Sequence, residues 1–288
     1  MVNHEKWLFE ITPQKRLIGI NFKEIWRYRD LLGLFVKRNI VSTYKQTVLG
    51  PLWLFIQPIF TSVIQFIVFG RIAEIPSNDI PYFLFVLAGN TLWGFFSSSL
   101  NKSANTFRGN AGIFGKVYFP RAIMPIASTI SGLFKFFIQL LLFVVIFIYV
   151  KSTGSPVRPN ILLLTFPLII MVMSMIAMGL GMIITSMTTK YRDFTFFMDF
   201  AISLFMYLTP VVYPTSLAIE KATEAGFSPN LIYLNPLTGL FDLFKYSFFG
   251  DGELNWWAVL YSLIFSIIIY LLGLIVFNRT EKNFMDTI

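Results

Sequence analysis

Few residues in this sequence could carry chemistry by themselves. There is no cysteine and only one histidine, His4, near the start of the chain. Disulfides, thiolate metal sites and histidine-based catalysis within the apolar segments are therefore excluded. Lys135 and Asp199 are the ionisable residues that fall inside apolar stretches. They could form a proton relay, or they could neutralise each other or extend their charges toward the membrane interface.

The stretch GNAGIFGKV, residues 109–117, has some features of a nucleotide-binding P-loop. That motif requires a glycine, four residues, and then Gly-Lys-Ser/Thr, so that backbone amides surround the phosphates and the hydroxyl reaches Mg²⁺. Here five residues separate Gly109 from Gly115, and Val117 occupies the hydroxyl position. Any function driven by ATP would therefore need a separate ATPase.

The stretch YKQTVLGPLW, residues 44–53, combines a lysine with a predicted helix start. Its Gly-Pro pair suits the first helical position, because proline lacks the N–H that is unpaired there. The next amides, around Leu52 and Trp53, are then predicted to be unpaired and to carry the positive end of the helix dipole. A helix N-terminus beside Lys45 would be an anion site. The alternative is that Lys45 is an ordinary basic residue at a membrane surface and Trp53 an interfacial aromatic.

These residues must be positioned by membrane-spanning helices. The chain has 288 residues, 56% hydrophobic and 13% charged, and its mean hydropathy of +0.68 is high for a soluble domain. Continuous apolar runs are long enough, or nearly so, to cross a core of ~30 Å as helices, and they lack the alternation of barrel strands. We predict an all-α integral membrane protein in which residues 1–50 form an N-terminal segment and residues 51–288 a transmembrane domain. Its six spans are residues 51–70, 82–100, 122–150, 161–187, 194–213 and 256–277.

Lysine and arginine are unevenly distributed between the loops. Most of them lie in the N-terminal segment and in the loops that follow the second, fourth and sixth spans. The positive-inside rule therefore predicts that both termini are cytoplasmic. The net charge of +8 lies beside membrane ends, where anionic lipid accounts for it, so nucleic acid is not a predicted partner.

Two segments outside the spans are also predicted to be helical. Residues 21–46 place apolar residues at steps of three or four, with basic residues between them, which is typical of an amphipathic interface helix. Such a helix could be a lipid-surface anchor or a docking surface for a partner. Residues 231–249 are apolar, but a seventh span there would strand Asp242 and Lys245 in lipid. We predict short amphipathic helices between spans 5 and 6 that dip partly into the membrane.

Four stretches together resemble the membrane subunits of type-2 ABC exporters for cell-surface polysaccharides, the family of O-antigen, capsule and teichoic-acid exporters. They are RDLLGLFVKRNIVSTYKQTVLGPLW (29–53), NAGIFGKVYFPRAIMP (110–125), KYRDF (190–194), and SLFMYLTPVVYP (203–214) followed by YLNPL (233–237). Their order and their agreement with the predicted topology make the combination specific.

The resemblance implies the channel-forming permease of an ATP-driven exporter, which moves a lipid-linked, O-antigen-like polysaccharide across the bacterial inner membrane. It also implies a homodimer, with ATP and Mg²⁺ held by two copies of a separate cytoplasmic ABC ATPase and no cofactor in this chain. The chain itself would not be an enzyme. The alternatives are an exporter of another lipid or small molecule in the same family, a proton-driven secondary transporter, and a membrane glycosyltransferase.

The resemblance and the residue pattern also assign roles to individual residues. The headgroup of the lipid carrier is predicted to enter at Tyr44, Lys45, Gln46, Gly50, Pro51 and Trp53. The glycan pathway is predicted to be lined by Gln57, Phe60, Gln65, Phe197 and Tyr207. Coupling to the ATPase is predicted for Arg38, Asn110, Ile113, Phe114, Lys116, Tyr118, Phe119, Pro120 and Arg121. The apolar members of this coupling set are expected to be exposed toward the partner. An outer gate is predicted at Tyr213, Pro214, Asn235 and Pro236.

Overall fold

The computed structural model describes residues 22–45, 48–77, 80–114, 119–189, 191, 193–252 and 254–283. Within these residues the regular secondary structure is helical and includes no strand, which confirms the predicted all-α fold class. In chain order the α-helices are α1 (Phe22–Arg27), α2 (Arg29–Tyr44), α3 (Trp53–Gln65), α4 (Tyr82–Ala104), α5 (Thr106–Gly109), α6 (Ala111–Phe114), α7 (Ile123–Ser152), α8 (Phe166–Thr188), α9 (Phe194–Leu208), α10 (Thr215–Glu224), α11 (Asn230–Tyr233), α12 (Thr238–Phe249) and α13 (Trp256–Asn283).

Five helical segments of the described residues are long and apolar enough to cross a membrane, so the chain is a multi-pass membrane protein. They are Gly50–Ile72, Tyr82–Ala104, Ile123–Ser152, Ile161–Thr188 and Trp256–Glu281. Each begins within one residue of a predicted span. The first includes a 3₁₀ turn before α3 and a π-helical turn after it, and the fourth begins with a 3₁₀ turn before α8.

The fifth predicted span, residues 194–213, is shorter than expected. Helix α9 has 15 residues and ends at Leu208, which makes it about 22 Å long at ~1.5 Å per residue. Thr209 adopts an extended conformation, with φ −103° and ψ 141°. It precedes Pro210, and a proline disfavours the helical conformation of the residue before it. The helix therefore ends five residues before Tyr213, the predicted end of the span.

Helix α4 is the centre of the bundle. It is the most buried of the five long apolar segments, and it packs against α3, α7 and α8. The Thr91 hydroxyl donates to the Leu87 carbonyl at 2.8 Å. Asn90 Nδ2 donates to Ser62 Oγ at 2.9 Å and to Gln65 Oε1 at 2.8 Å, both on α3. These bonds satisfy polar groups inside an apolar bundle, where an unpaired group would be costly.

Helices α8 and α13 approach each other closely at two glycines. A Cβ atom on Gly273 would lie 2.5 Å from the carbonyl oxygen of Gly179, and a Cβ on Gly179 would lie 2.6 Å from that of Ile269. Small residues allow the backbones of membrane helices to come into van der Waals contact, which drives association where no water is displaced. This contact fixes the last long helix against the rest of the bundle.

An aromatic cluster joins five parts of the chain. These are α2, α5, α6, the residues just before α7 and the C-terminal part of α13. We call it the Phe35 cluster, and its members are Phe35, Phe107, Phe114, Phe119 and Phe277, each at most 7% exposed. Neighbouring ring centroids lie 4.6 to 6.0 Å apart, a separation at which aromatic pairs contribute about 0.5–1.5 kcal/mol beyond their area burial. The cluster therefore connects segments that are distant in the sequence.

The segment between α9 and α13 contains α10, α11 and α12. Helix α12 packs closely on the start of α13, since a Cβ on Gly239 would lie 2.6 Å from the Ala258 carbonyl carbon. Eleven of its 12 residues are buried. Helix α12 is thus enclosed by its neighbours within the chain, and the partial entry of this segment into the membrane stays a prediction. Its charged residues are accommodated by contacts within the chain.

Candidate functional site

The elbow between α2 and α3 includes a tight 3₁₀ turn at Gly50–Leu52. Gly50 has φ +52°, a left-handed conformation that glycine adopts without strain. The Leu52 N–H donates to the Leu49 carbonyl at 3.1 Å, and the Trp53 N–H points to the carbonyls of Gly50 and Pro51. The prediction that these amides are unpaired is therefore wrong. A 3₁₀ turn pairs them with carbonyls three residues back, so they are not available to hold an anion.

The other predicted headgroup residues lie around this turn. Lys45 is exposed, and Trp53 is 47% exposed at the start of α3. The backbone of Tyr44 ends α2, and its side chain and the whole of Gln46 lie outside the described residues. The elbow thus presents a cation and an indole eight residues apart in the sequence, without the amide cradle.

A cavity of about 220 Å³ lies beside the elbow, between α2, α3, α4 and α7. Two of the residues that line it, Lys102 and Lys135, are cationic. Lys102 belongs to the last turn of α4, and Lys135 lies in the first half of α7. The remaining lining residues are Asn39, Ile40, Thr43, Trp53, Leu54, Gln57, Ser98, Ser131 and Phe134. The predicted second span ends at residue 100, which places Lys102 among the basic residues of the following loop. Nothing local in the sequence shows that its helix ends beside Lys135.

Lys135 and Asp199 do not form an ion pair. No ion pair among the described residues includes either of them, and Asp199 is exposed on α9. The interpretation that these two residues neutralise each other is therefore wrong. They lie on helices that make no substantial contact in the bundle, which their positions in the sequence do not reveal.

The predicted pathway residues divide into two groups. Phe60, Phe197 and Tyr207 are 64%, 57% and 57% exposed, and Gln57 is exposed at the cavity. Gln65 instead accepts the hydrogen bond from Asn90 within the chain. The amide of Gln65 therefore has a structural partner, and the other four residues remain on a surface.

The predicted coupling residues are brought together at the Phe35 cluster. Arg38 Nη2 donates to Asn110 Oδ1 at 3.0 Å across 72 residues of sequence. The expected exposure is wrong for Phe114 and Phe119, which are 5% and 4% exposed, and Ile113 is half-buried. Their apolar side chains cover the ends of long apolar helices, and burial of that surface is favourable.

Arg121 holds the same region to the end of α13. Its Nη1 donates to the Glu281 carbonyl at 2.7 Å, its Nε lies 3.8 Å from the Glu281 carboxylate, and its guanidinium lies 5.4 Å from the Phe114 ring centroid. Pro120 is half-buried just before α7. Lys116 and Tyr118 lie outside the described residues.

Comparison with known proteins identifies the family. The sequence profile of the ABC-2 type transporter matches residues 30–249. The chain belongs to the ABC-2 type transporter family. Two O-antigen export system permease proteins, both called RfbA, are similar to it: one from Klebsiella pneumoniae, 28% identical over 89% of this chain and 94% of its own length, and one from Myxococcus xanthus, 24% identical over 79% and 83%. The capsule polysaccharide export inner-membrane protein CtrC of Neisseria meningitidis is 22% identical over 88% of this chain and 92% of its own length.

The predicted gate residues of this ABC-2 transporter chain lie near the C-terminal end of α9. Asn235 Nδ2 donates to the Leu208 carbonyl at 3.0 Å and to Thr209 Oγ1 at 2.9 Å, and its Oδ1 accepts from the Leu237 N–H at 2.9 Å. The Tyr213 hydroxyl donates to the Tyr207 carbonyl at 2.8 Å. Asn235 and Tyr213 therefore tie the segment after α9 to the end of that helix.

The two prolines of the predicted gate are buried beside these contacts. Pro214 immediately precedes α10, and Pro236 lies in the break between α11 and α12. Each removes a backbone donor at a point where one helix has ended and the next has not begun.

Sequence reasoning missed a buried charged group in α12 of this ABC-2 transporter. Lys245 Nζ donates to the Pro210 carbonyl and lies 3.6 Å from the Phe85 ring centroid. On the same helix Asp242 accepts from the Thr215 hydroxyl at 2.5 Å. The two charges were visible in the sequence, but they were used only to exclude a seventh span. Their spacing of three residues, which places both on one helix face, was the available signal.

Proposed function

We propose that this chain is the membrane permease of an ABC exporter for a cell-surface polysaccharide. The observation that carries the proposal is its similarity, over nearly the whole chain, to relatives named for O-antigen and capsule export, within a family shown by the profile match. The chain supplies the path through the membrane. ATP and Mg²⁺ belong to a separate cytoplasmic ABC ATPase, present in two copies.

The proposed topology has six spans in the bacterial inner membrane, with both termini in the cytoplasm. The crossing that is not among the five long segments, the fifth in chain order, is made by α9 together with the turn that follows it. Support comes from the apolar composition of α9 and from the basic residues around the Phe35 cluster, among them Arg38 and Arg121. The positive-inside rule assigns such an end to the cytoplasm.

The proposed pathway lies between two copies of the chain, along α3 and α9. These helices bury little of their surface within one copy: α9 buries only Ile202, and α3 buries Leu54, Pro58 and Ser62. Their exposed aromatic rings can stack on the apolar faces of sugars, and the Gln57 amide can bond to hydroxyls. Within this proposal the segment from Tyr213 to Pro236 acts as a gate on the external side.

The proposed ATPase contact is the exposed rim of the Phe35 cluster. Gly109 and Gly112 are exposed there, next to the hydrogen bond between Arg38 and Asn110. The buried rings beneath would carry a push from the ATPase to α7 and α13, because a packed cluster moves as a unit. The elbow at Lys45 and Trp53 would receive the lipid carrier on the same side.

Deletion of the gene tests the proposed function. We expect loss of the polysaccharide from the cell surface and accumulation of lipid-linked polysaccharide in the inner membrane, with restoration by the wild-type gene. Both pools are measured, one by surface labelling and one after lipid extraction. The same accumulation is expected when the P-loop lysine of the partner ATPase is replaced by alanine.

Two results would contradict this function. Export that continues with the inactive ATPase would favour a proton-driven transporter. Absence of the lipid-linked polysaccharide itself, in place of its accumulation, would indicate a glycosyltransferase.

A further inference from the structure

The cavity beside the elbow contains two cations for which the described residues supply no counter-charge. Lys102 and Lys135 both line it, and none of the ion pairs among the described residues includes either of them. The lining residues include no aspartate or glutamate. Two ammonium groups that share a partly enclosed space repel each other and lose hydration, and an anion between them would offset both costs.

The other walls of the cavity suit an anion that is attached to a lipid. Uncharged hydrogen-bonding side chains come from four helices: Asn39 and Thr43, Gln57, Ser98, and Ser131. Apolar side chains complete the lining, and two of them, Trp53 and Phe134, are 47% and 46% exposed. The cavity therefore reaches the surface of the chain beside apolar groups, where an acyl or prenyl chain could lie.

The size of the cavity is compatible with such a ligand. Its volume of about 220 Å³ is several times the ~30 Å³ that a water molecule occupies in the liquid. A diphosphate group fits this space, with its oxygens accepting from the two ammonium groups in charge-assisted hydrogen bonds.

We propose that Lys102 and Lys135 form a binding site for the phosphate or diphosphate of a lipid carrier. The proposal rests on the proposed export function and adds a location for the headgroup after it leaves the elbow. Trp53 connects the two places, because it belongs to the elbow and also lines the cavity. The amides of the elbow turn are paired and cannot bind the headgroup. In this proposal Lys102 and Lys135 bind it instead.

The site is tested on the full-length permease in complex with its ATPase. The complex is placed in phosphatidylcholine nanodiscs that contain a long-chain polyprenyl diphosphate, and native mass spectrometry measures how much of this lipid is retained. Lys102→Gln and Lys135→Gln should each lower retention about tenfold, as expected for loss of one hydrogen bond to a charged group. Lys135→Arg should retain the lipid, because it keeps the cation.

Lys151→Gln is the matched control, since Lys151 is an exposed lysine at the other end of α7. It should retain the lipid as the wild type does. Equal retention by the wild type and the Lys102→Gln/Lys135→Gln double variant would overturn the site. Displacement by phosphatidylglycerol at equal concentration would show a general anionic-lipid site, and displacement by inorganic pyrophosphate would show a free-anion site; either would overturn the assignment to the carrier.

Surface polysaccharide is measured for the same variants in cells that lack the native gene. If the wild-type gene restores export but the lysine variants bind the lipid normally, the site is wrong and the export function stands. If the wild-type gene restores nothing, the export function itself is contradicted.

Discussion

Lys245 illustrates how a single residue can hold the segment that follows α9. It is 6% exposed, and its contacts with the Pro210 carbonyl and the Phe85 ring bring together α12, the turn after α9, and α4. Burial lowers the pKa of Lys245, and the nearby Asp242 carboxylate opposes that shift. Water does not stabilise the ammonium form of this buried residue, so the Pro210 carbonyl and the Asp242 carboxylate are the groups that favour it.

Replacement of Lys245 by methionine should loosen this segment. The change keeps the length of the side chain but removes the donor to the buried Pro210 carbonyl, and a buried polar group left without its partner costs about 1–3 kcal/mol. Thermal unfolding in detergent should shift down, and proteolysis between α9 and α13 should become faster. Lys221→Met is the control, since Lys221 forms an exposed pair with Glu224, and exposed ion pairs contribute little to stability. Equal stability of the two variants would contradict a structural role for Lys245.

At the scale of elements, the Phe35 cluster bears on two effects that look alike in an export assay: loss of folding at this end of the permease and loss of contact with the ATPase. Phe119 is enclosed by Phe35 and Phe114 at centroid distances of 5.4 and 5.7 Å. A carboxylate at this position would lose its hydration among the aromatic rings. Phe119→Asp should therefore abolish export through loss of folding at this end, and the result would not report on ATPase contact.

Gly112 offers a cleaner probe of the ATPase contact. It is exposed on α6, and a Cβ there would meet nothing within 4 Å. Gly112→Trp should leave the permease folded and inserted but lower co-purification of the ATPase about tenfold or more, because the indole would occupy the contact surface. Thr223→Trp on α10, also at an exposed position, should have no effect. Normal co-purification and export with Gly112→Trp would show that the ATPase contacts another part of the chain.

For the whole molecule, the informative feature is the difference in burial between the spanning helices. Helix α4 is enclosed, whereas α3 and α9 expose large side chains such as Phe60, Phe200 and Leu204 at 64%, 61% and 48%. Lipid can cover such surfaces, and so can a second copy of the chain. A twofold dimer that joins α3 of one copy to α9 of the other would enclose a path between them.

Cross-linking distinguishes a surface that is covered by lipid from one that is covered by a second copy of the chain. The chain contains no cysteine, so Phe60→Cys and Leu204→Cys can be introduced together without background. A short bifunctional thiol reagent should convert most of this variant in native membranes to a dimer. Ile148→Cys with Ile268→Cys, which are exposed at 60% and 52% on α7 and α13, should remain monomeric. The opposite pattern would place the dimer contact on other helices.

The sequence by itself determined the all-α class, the beginnings of the five long apolar segments and the family resemblance. These features depend on local hydrophobicity and on short ordered motifs, both of which can be read along the chain. The end of α9 could also have been predicted, because Pro210 is visible in the sequence and disfavours the helical conformation of Thr209.

Only the tertiary structure decided which side chains are free to act. Phe119 is buried because rings from distant segments cover it, Gln65 is occupied because Asn90 lies across from it on α4, and Lys102 meets Lys135 because α4 and α7 are adjacent. In each case the partner comes from another helix, and apolar composition determines that a helix crosses a membrane without determining which helix lies beside it.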